Sequence, residues 1–148
     1  MIKKNLKGAV IAFIVGILFA TSTVVALGAE ASSNWFNFGP YSGYSYQNQA
    51  TVYSDTTDVF AYTEVANQNW TDVPVGYMGA EARLFNSSGY LVNYSNMSYN
   101  GTETGALSVL TDSSTHDTYY SLGITAVYNN SDGYYYNEDT YMSPRINF

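Results

Sequence analysis

The sequence predicts an all-β protein, an antiparallel β-sandwich of about eight strands with a small β-barrel as the alternative architecture. Three observations carry that expectation. Short runs rich in Tyr, Val and Thr recur between turns containing Gly, Asn and Ser, the composition of strands on a half-wetted sheet. Where a run is long, apolar residues alternate with period two, as in Met78, Ala80, Ala82 and Leu84, which places them on one face of a strand. Beyond residue 31 no segment reads as a helix.

The first segment stands apart from the rest. Lys3, Lys4 and Lys7 precede an apolar run from Gly8 to Ala20 and a softer stretch ending in small residues, the organisation of a signal peptide. Ala29-Glu30-Ala31 supplies an A-x-A cleavage signal before Ser32, with Ala26 and Ala29 as alternative ends. A retained anchor is the competing reading, but no basic stop-transfer cluster follows. With no cysteine in the chain there is no lipidation site either. The expectation is a secreted, extracellular domain spanning residues 32–148, with no stable membrane anchor after cleavage.

Charge narrows its partners. Beyond the leader only Arg83 and Arg145 are basic, against eleven carboxylates, a formal charge of −9. Phosphate backbones are held by clustered Lys and Arg, so nucleic acid is not an expected partner. Anionic lipid headgroups and teichoic acids are disfavoured on the same ground. Without cysteine, packing and hydrogen bonding alone must hold the domain.

Strands are expected near residues 35–38, 44–54, 59–66, 75–85, 90–99, 105–111, 119–128 and 134–142. Three turns read as hairpins: Ser88-Gly89, Asn100-Gly101 and Asp132-Gly133, of which Asn-Gly suits a type I′ turn. In the fourth strand Met78, Ala80, Ala82 and Leu84 form the core face. In the seventh, Tyr120, Leu122, Ile124, Ala126 and Tyr128 oppose Tyr119, Ser121, Gly123, Thr125 and Val127, and both faces are partly apolar. Residues Trp35 to Phe38 read as an edge strand or as an arm offered to a neighbouring subunit.

Catalytic patterns are weak. His116 is the only histidine; Asp112 to Asp117 holds triad residue types in a polar loop, with no nucleophile elbow. Glu64, Glu81, Glu103 and Glu138 could furnish a carboxylate pair, a signal without specificity, so the expectation is a protein that is not an enzyme. No cofactor is required. Calcium is the one ion whose oxygen ligands are plentiful, in Asn129 to Asp132 and Asp55 to Asp58, although Asn and Asp serve ordinary turns equally well.

All sixteen tyrosines follow the leader, more than one small core can enclose. In the segment DGYYYNEDTY (132–141), alternation sends Tyr134 and Tyr136 one way and Tyr135 and Tyr141 the other, one pair toward the core and one outward. Tyrosine among Ser, Gly and Asn is contact-surface chemistry. The candidate binding set is therefore Tyr135 and Tyr141 with the acidic pair Glu138 and Asp139, joined by Trp70 on the loop at 66–74. The ligand expected is an extracellular polysaccharide, a cell-wall component or a protein; self-association through edge strands and an antimicrobial role are the alternatives.

Two resemblances bear on this. Residues 73–85 (VPVGYMGAEARLF), 86–91 (NSSGYL), 119–123 (YYSLG) and Ser143-Pro144 resemble small uncharacterised exported proteins of Gram-positive bacteria, which implies export. Trp35 with Gly39, Tyr44-Ser45-Tyr46 and Ala50-Thr51-Val52 are similar to the start of lactococcin-type bacteriocins. This chain is longer and more acidic and differs in its second half, so that activity is not carried over.

Overall fold

The computed structural model describes residues 28–148; of the segment expected to be a leader, residues 1–27 lie outside them and residues 28–31 inside. Thirteen strands follow one another: β1 (Glu30–Ser32), β2 (Phe36–Tyr41), β3 (Tyr44–Ser54), β4 (Val59–Asn67), β5 (Met78–Glu81), β6 (Arg83–Asn86), β7 (Leu91–Tyr94), β8 (Ser98–Tyr99), β9 (Ala106–Ser113), β10 (Thr118–Ser121), β11 (Ile124–Asn129), β12 (Tyr134–Asp139) and β13 (Ile146–Asn147). All pairing is antiparallel, and no helix occurs among the described residues. The fold is the expected β-sandwich.

The first layer runs β1-β3-β4-β9, and β2 shares the β3 edge with β1. The arm near Trp35 to Phe38 is thus an edge strand of its own sheet, with Phe36 opposite Asn48 and Phe38 opposite Tyr46. Because Glu30 to Ser32 pair with Thr51 to Tyr53 and Ala31 packs on the core, a cut after Ala31 would divide β1. A cut after Ala26 falls before it.

The second layer is creased. Its two four-stranded halves, β12-β11-β5-β8 and β13-β10-β6-β7, are consecutive pieces of the same chain runs, interrupted at Ala82 and at Leu122-Gly123. The crease is where the layers come closest: a Cβ on Gly123 would lie 1.9 Å from Thr63 Oγ1 and 2.7 Å from Thr63 Cβ. Only glycine leaves room for that approach. The expected final strand also breaks here, since side-chain hydroxyls replace the ladder: Gly123 N–H donates to Thr140 Oγ1 and Ser121 N–H to Ser143 Oγ, both at 2.9 Å.

Pinched at that waist, the core falls into two apolar clusters. One holds Tyr46, Val65, Val73, Met78, Ala80 and Val127; the other holds Val52, Val59, Ala61, Leu84, Tyr119 and Ile146. Between them lies a belt of buried polar side chains, Asn48, Thr63, Ser121 and Thr125. Asn48 Nδ2 donates to Thr125 Oγ1 at 2.8 Å, and Thr125 Oγ1 to Glu138 O at 3.1 Å, which offsets part of the cost of burying them. The inward face of the seventh run is therefore the more polar set, Tyr119 through Val127, which alternation alone left open.

The hairpins at Ser88-Gly89 and Asp132-Gly133 form, joining β6 to β7 and β11 to β12, with positive φ at both glycines. Asn100-Gly101 does not form one. β8 pairs with β5 and β9 with β4, so these residues carry the chain from one layer to the other. Asn100 is buried and acts as a staple: its Oδ1 accepts from Met78 N–H, and its Nδ2 donates to the carbonyls of Pro74 and Thr102, each at 2.9 Å.

Candidate functional site

Two surfaces gather functional side chains, one on the outer face of each layer. On the second layer the inward positions are Met78 and Ala80 on β5 and Thr125 and Val127 on β11, so Gly79, Ala126 and Tyr128 point outward by alternation, while Tyr77, just before β5, packs against the core cluster and meets Tyr44 edge-on at 6.2 Å. Tyr135 stands opposite Tyr128, and Tyr99 opposite Gly79. Their rings make a continuous run: Tyr77 to Tyr128 at 5.4 Å, Tyr128 to Tyr135 at 5.2 Å and Tyr135 to Tyr99 at 4.8 Å between centroids. These are the tilted spacings that aromatic pairs favour.

Small residues permit this roof. Tyr99 comes from one side strand and Tyr135 from the other, and they meet above a floor of Gly79 and Ala126. A Cβ on Gly79 would lie 2.7 Å from the Tyr99 ring. Ala126 is fully buried although it lies on the outer face, because the rings cover it. The Tyr135 hydroxyl donates to Gly76 O at 2.8 Å, and its partial burial beside Tyr99 and Tyr128 pushes its pKa up. Tyr99 and Tyr135 nevertheless remain 44% and 45% exposed. The result is a fixed aromatic platform with an open upper surface.

Polar groups border it. Asn137 and Asp139 share the outer face of β12 with Tyr135, and Asp139 Oδ1 accepts from Arg83 Nη2 at 2.9 Å. Farther along the same face Phe85 stacks on Tyr120 at 5.3 Å, with the Arg145 guanidinium over the Tyr120 ring. Both arginines of the described residues therefore lie on this side.

The structure divides the residues expected from the sequence. Tyr135 and Asp139 come together on the platform. Glu138 stands opposite the inward-facing Thr125, so it shares the other face. Tyr141 lies beyond the end of β12 and packs edge-on against Phe36 of β2 at 5.3 Å, away from Tyr135. None of Tyr134, Tyr135 and Tyr136 is core, because β12 is the outermost strand of its half-sheet; Tyr136 stacks on Tyr41 at 4.9 Å and donates to Asp132 Oδ2 at 2.6 Å. Trp70 is exposed, with φ 57°, and meets Trp35 edge-to-face at 6.0 Å; it borders neither surface.

The second surface was not foreseen. On the first layer Asn48, Ala50 and Val52 face the core with Ala61, Thr63 and Val65, leaving Gln49, Thr51, Tyr53, Tyr62 and Glu64 outward. With Glu30 and Ser108 they line a groove of about 360 Å³. Thr51 stands opposite Tyr62, and Glu64 lies between Gln49 and Ser108. Burial pushes the Glu64 carboxyl above its usual range. Its one visible signal in the sequence is period-two alternation of Gln, Thr and Tyr in residues 47–53, which marks an outer face without telling its shape. Glu30, placed with the leader on sequence grounds, completes the wall only because β1 pairs with β3.

Other features are accounted for locally. Asp55 Oδ1 accepts from Thr57 N–H and Asp58 N–H, which holds its carboxyl below the usual range, and Asp132 Oδ1 accepts from Tyr134 N–H. Both segments considered for calcium are thus turns that bind their own backbone; among the described residues no three His, Cys, Asp or Glu side chains converge. His116 stacks on Phe148 at 4.6 Å. No family model, no curated protein and no solved structure matches this chain.

Proposed function

We propose that this is an exported, non-catalytic binding protein that lays its tyrosine platform against a hydroxyl-rich extracellular polymer, a polysaccharide or a carbohydrate of the cell wall. The observation that carries the reading is the run Tyr128–Tyr135–Tyr99, in which Tyr135 and Tyr99 are held ring on ring above Gly79 and Ala126 yet remain open to solvent. A pyranose presents an apolar C–H face that fits an aromatic ring, and its hydroxyls find Asn137 and Asp139 at the border. Because the rings are held before the ligand arrives, little side-chain entropy is lost on contact. The net negative charge and the scarcity of cations favour a neutral polymer over an acidic one.

The test is co-sedimentation of the purified exported protein with insoluble polysaccharides and isolated cell walls. A Tyr99→Ala/Tyr135→Ala variant with an unchanged circular dichroism spectrum is expected to stay in the supernatant. Retained binding by that variant would reject the platform, and absence of parent binding to every polymer would reject the ligand class.

A further inference from the structure

The groove on the first layer carries a chemistry the platform lacks. Its polar lining is rich in acceptor oxygens: the carboxylates of Glu30 and Glu64, the Gln49 side-chain oxygen and the tyrosine hydroxyl oxygens. Gln49 Nε2 uses one of its two N–H groups to donate to Ser33 O at 2.7 Å, which holds the amide in place and leaves Oε1 free. The Ser32 and Thr51 hydroxyls share one hydrogen bond at 2.7 Å. Among the described residues Glu64 has neither a hydrogen bond nor an ion pair, and no basic side chain lines the groove.

A half-buried carboxylate without a partner is held at a cost that a bound cation would relieve. Anions are disfavoured by two carboxylates in one groove. A bare inorganic cation would use the carboxylates but leave the two rings and the hydroxyl-bearing Thr51 and Ser108 idle. Tyr53 and Tyr62, which flank Phe60 at 6.1 and 6.3 Å between ring centroids, also line the groove, and an aromatic ring attracts both an organic ammonium and the C–H face of a sugar. The volume, about 360 Å³, suits a small ligand.

We propose that this groove is a second binding site, for an amino sugar with a free ammonium group. The ammonium pairs with Glu64, Glu30 assists from the β1 side, and the ring lies against Tyr53 or Tyr62 with its hydroxyls toward Gln49, Thr51 and Ser108. The site is independent of the platform, since the two occupy opposite outer faces.

The experiment is NMR titration of the purified exported protein at about pH 6.5, where an aliphatic amine is protonated, with glucosamine, N-acetylglucosamine, glucose and ethanolamine. Glucosamine is expected to shift resonances of Tyr53, Tyr62 and Glu64, to bind at least about tenfold more tightly than N-acetylglucosamine and glucose, one charge-assisted contact being enough for that ratio, and to bind more tightly than ethanolamine, which keeps the ammonium but lacks the ring. Glu64→Gln should abolish the preference, and Tyr99→Ala should leave it intact. Equal binding of N-acetylglucosamine, or an undiminished preference in Glu64→Gln, would overturn the assignment of the ammonium. Equal binding of ethanolamine would overturn the sugar, and no response to glucosamine would overturn the site.

Discussion

Both outer faces of this sandwich display tyrosines, yet they form different surfaces, and the floor beneath the rings makes the difference. On the second layer Gly79 and Ala126 let rings from opposite sides of the sheet lean inward until they touch. On the first layer Tyr62 stands opposite Thr51 and Glu64 opposite Gln49, with Tyr53 beyond Thr51, so the rings stand beside polar side chains instead of closing over small ones, and the two kinds together wall a groove. Side-chain type chooses a strand; the size of its cross-strand neighbours chooses a platform or a cleft.

The change expected to disrupt both faces together is at the waist they share. Gly123→Ala places a Cβ into Thr63, where backbone must move; overpacking of that kind costs about 3 kcal/mol, a fall in melting midpoint on the order of 10 °C. Scanning calorimetry checks this, and an unchanged midpoint would mean the layers are not pinned there.

Next in size is the separation of the faces. Tyr135→Ala removes a ring worth about 1 kcal/mol in its aromatic contacts and should weaken polymer binding several-fold while the groove responds to ligand as before. If both fail together, the faces are coupled through the core. Gly79→Ala is a subtler version: it lifts the Tyr99 ring without deleting it, and the expected outcome in the same co-sedimentation assay is a loss smaller than that of Tyr135→Ala.

The smallest effect belongs to the groove and to pH. Burial raises the Glu64 carboxyl in the folded protein, so the folded state holds that proton more tightly than the unfolded chain. Stability then falls as pH rises from the ordinary glutamate range through the raised folded value, and is level above it. Glu64→Gln should melt higher than the parent at pH 7, and the gap should close below about pH 4. A gap that widens on acidification would mean the carboxylate has a stabilising partner.

Much of the architecture was legible. Residues 44–54 and 59–66 were legible as strands at nearly their observed bounds, and Gly89 and Gly133 mark their hairpins. Asn100-Gly101 misled because its turn chemistry matched a hairpin while the asparagine amide was needed inside, stapling Met78, Pro74 and Thr102. That Tyr135 and Asp139 share one face was legible, since they have the same parity, but which face was not. Tyr141 is exposed as well, but its place beside Phe36 was not legible, because β12 ends at Asp139 and parity stops applying where a strand stops. The groove was invisible for a different reason. Its wall joins residue 30 to residues 53 and 64, and only tertiary pairing brings them together.

The two arginines add a consequence of their own. Both Arg83 and Arg145 lie on the platform side, where Glu81 and Asp139 flank Arg83 and bring that face near neutrality, while among the described residues the groove side carries Glu30, Glu64 and Asp112 and no basic residue. The molecule is therefore a permanent electric dipole laid across the thickness of the sandwich. Near any negatively charged surface it would feel a torque as well as a net repulsion, turning the tyrosines toward that surface and the groove toward open solution. Orientation would be set by long-range forces before a single contact forms, and salt would erase it over a distance of about 10 Å.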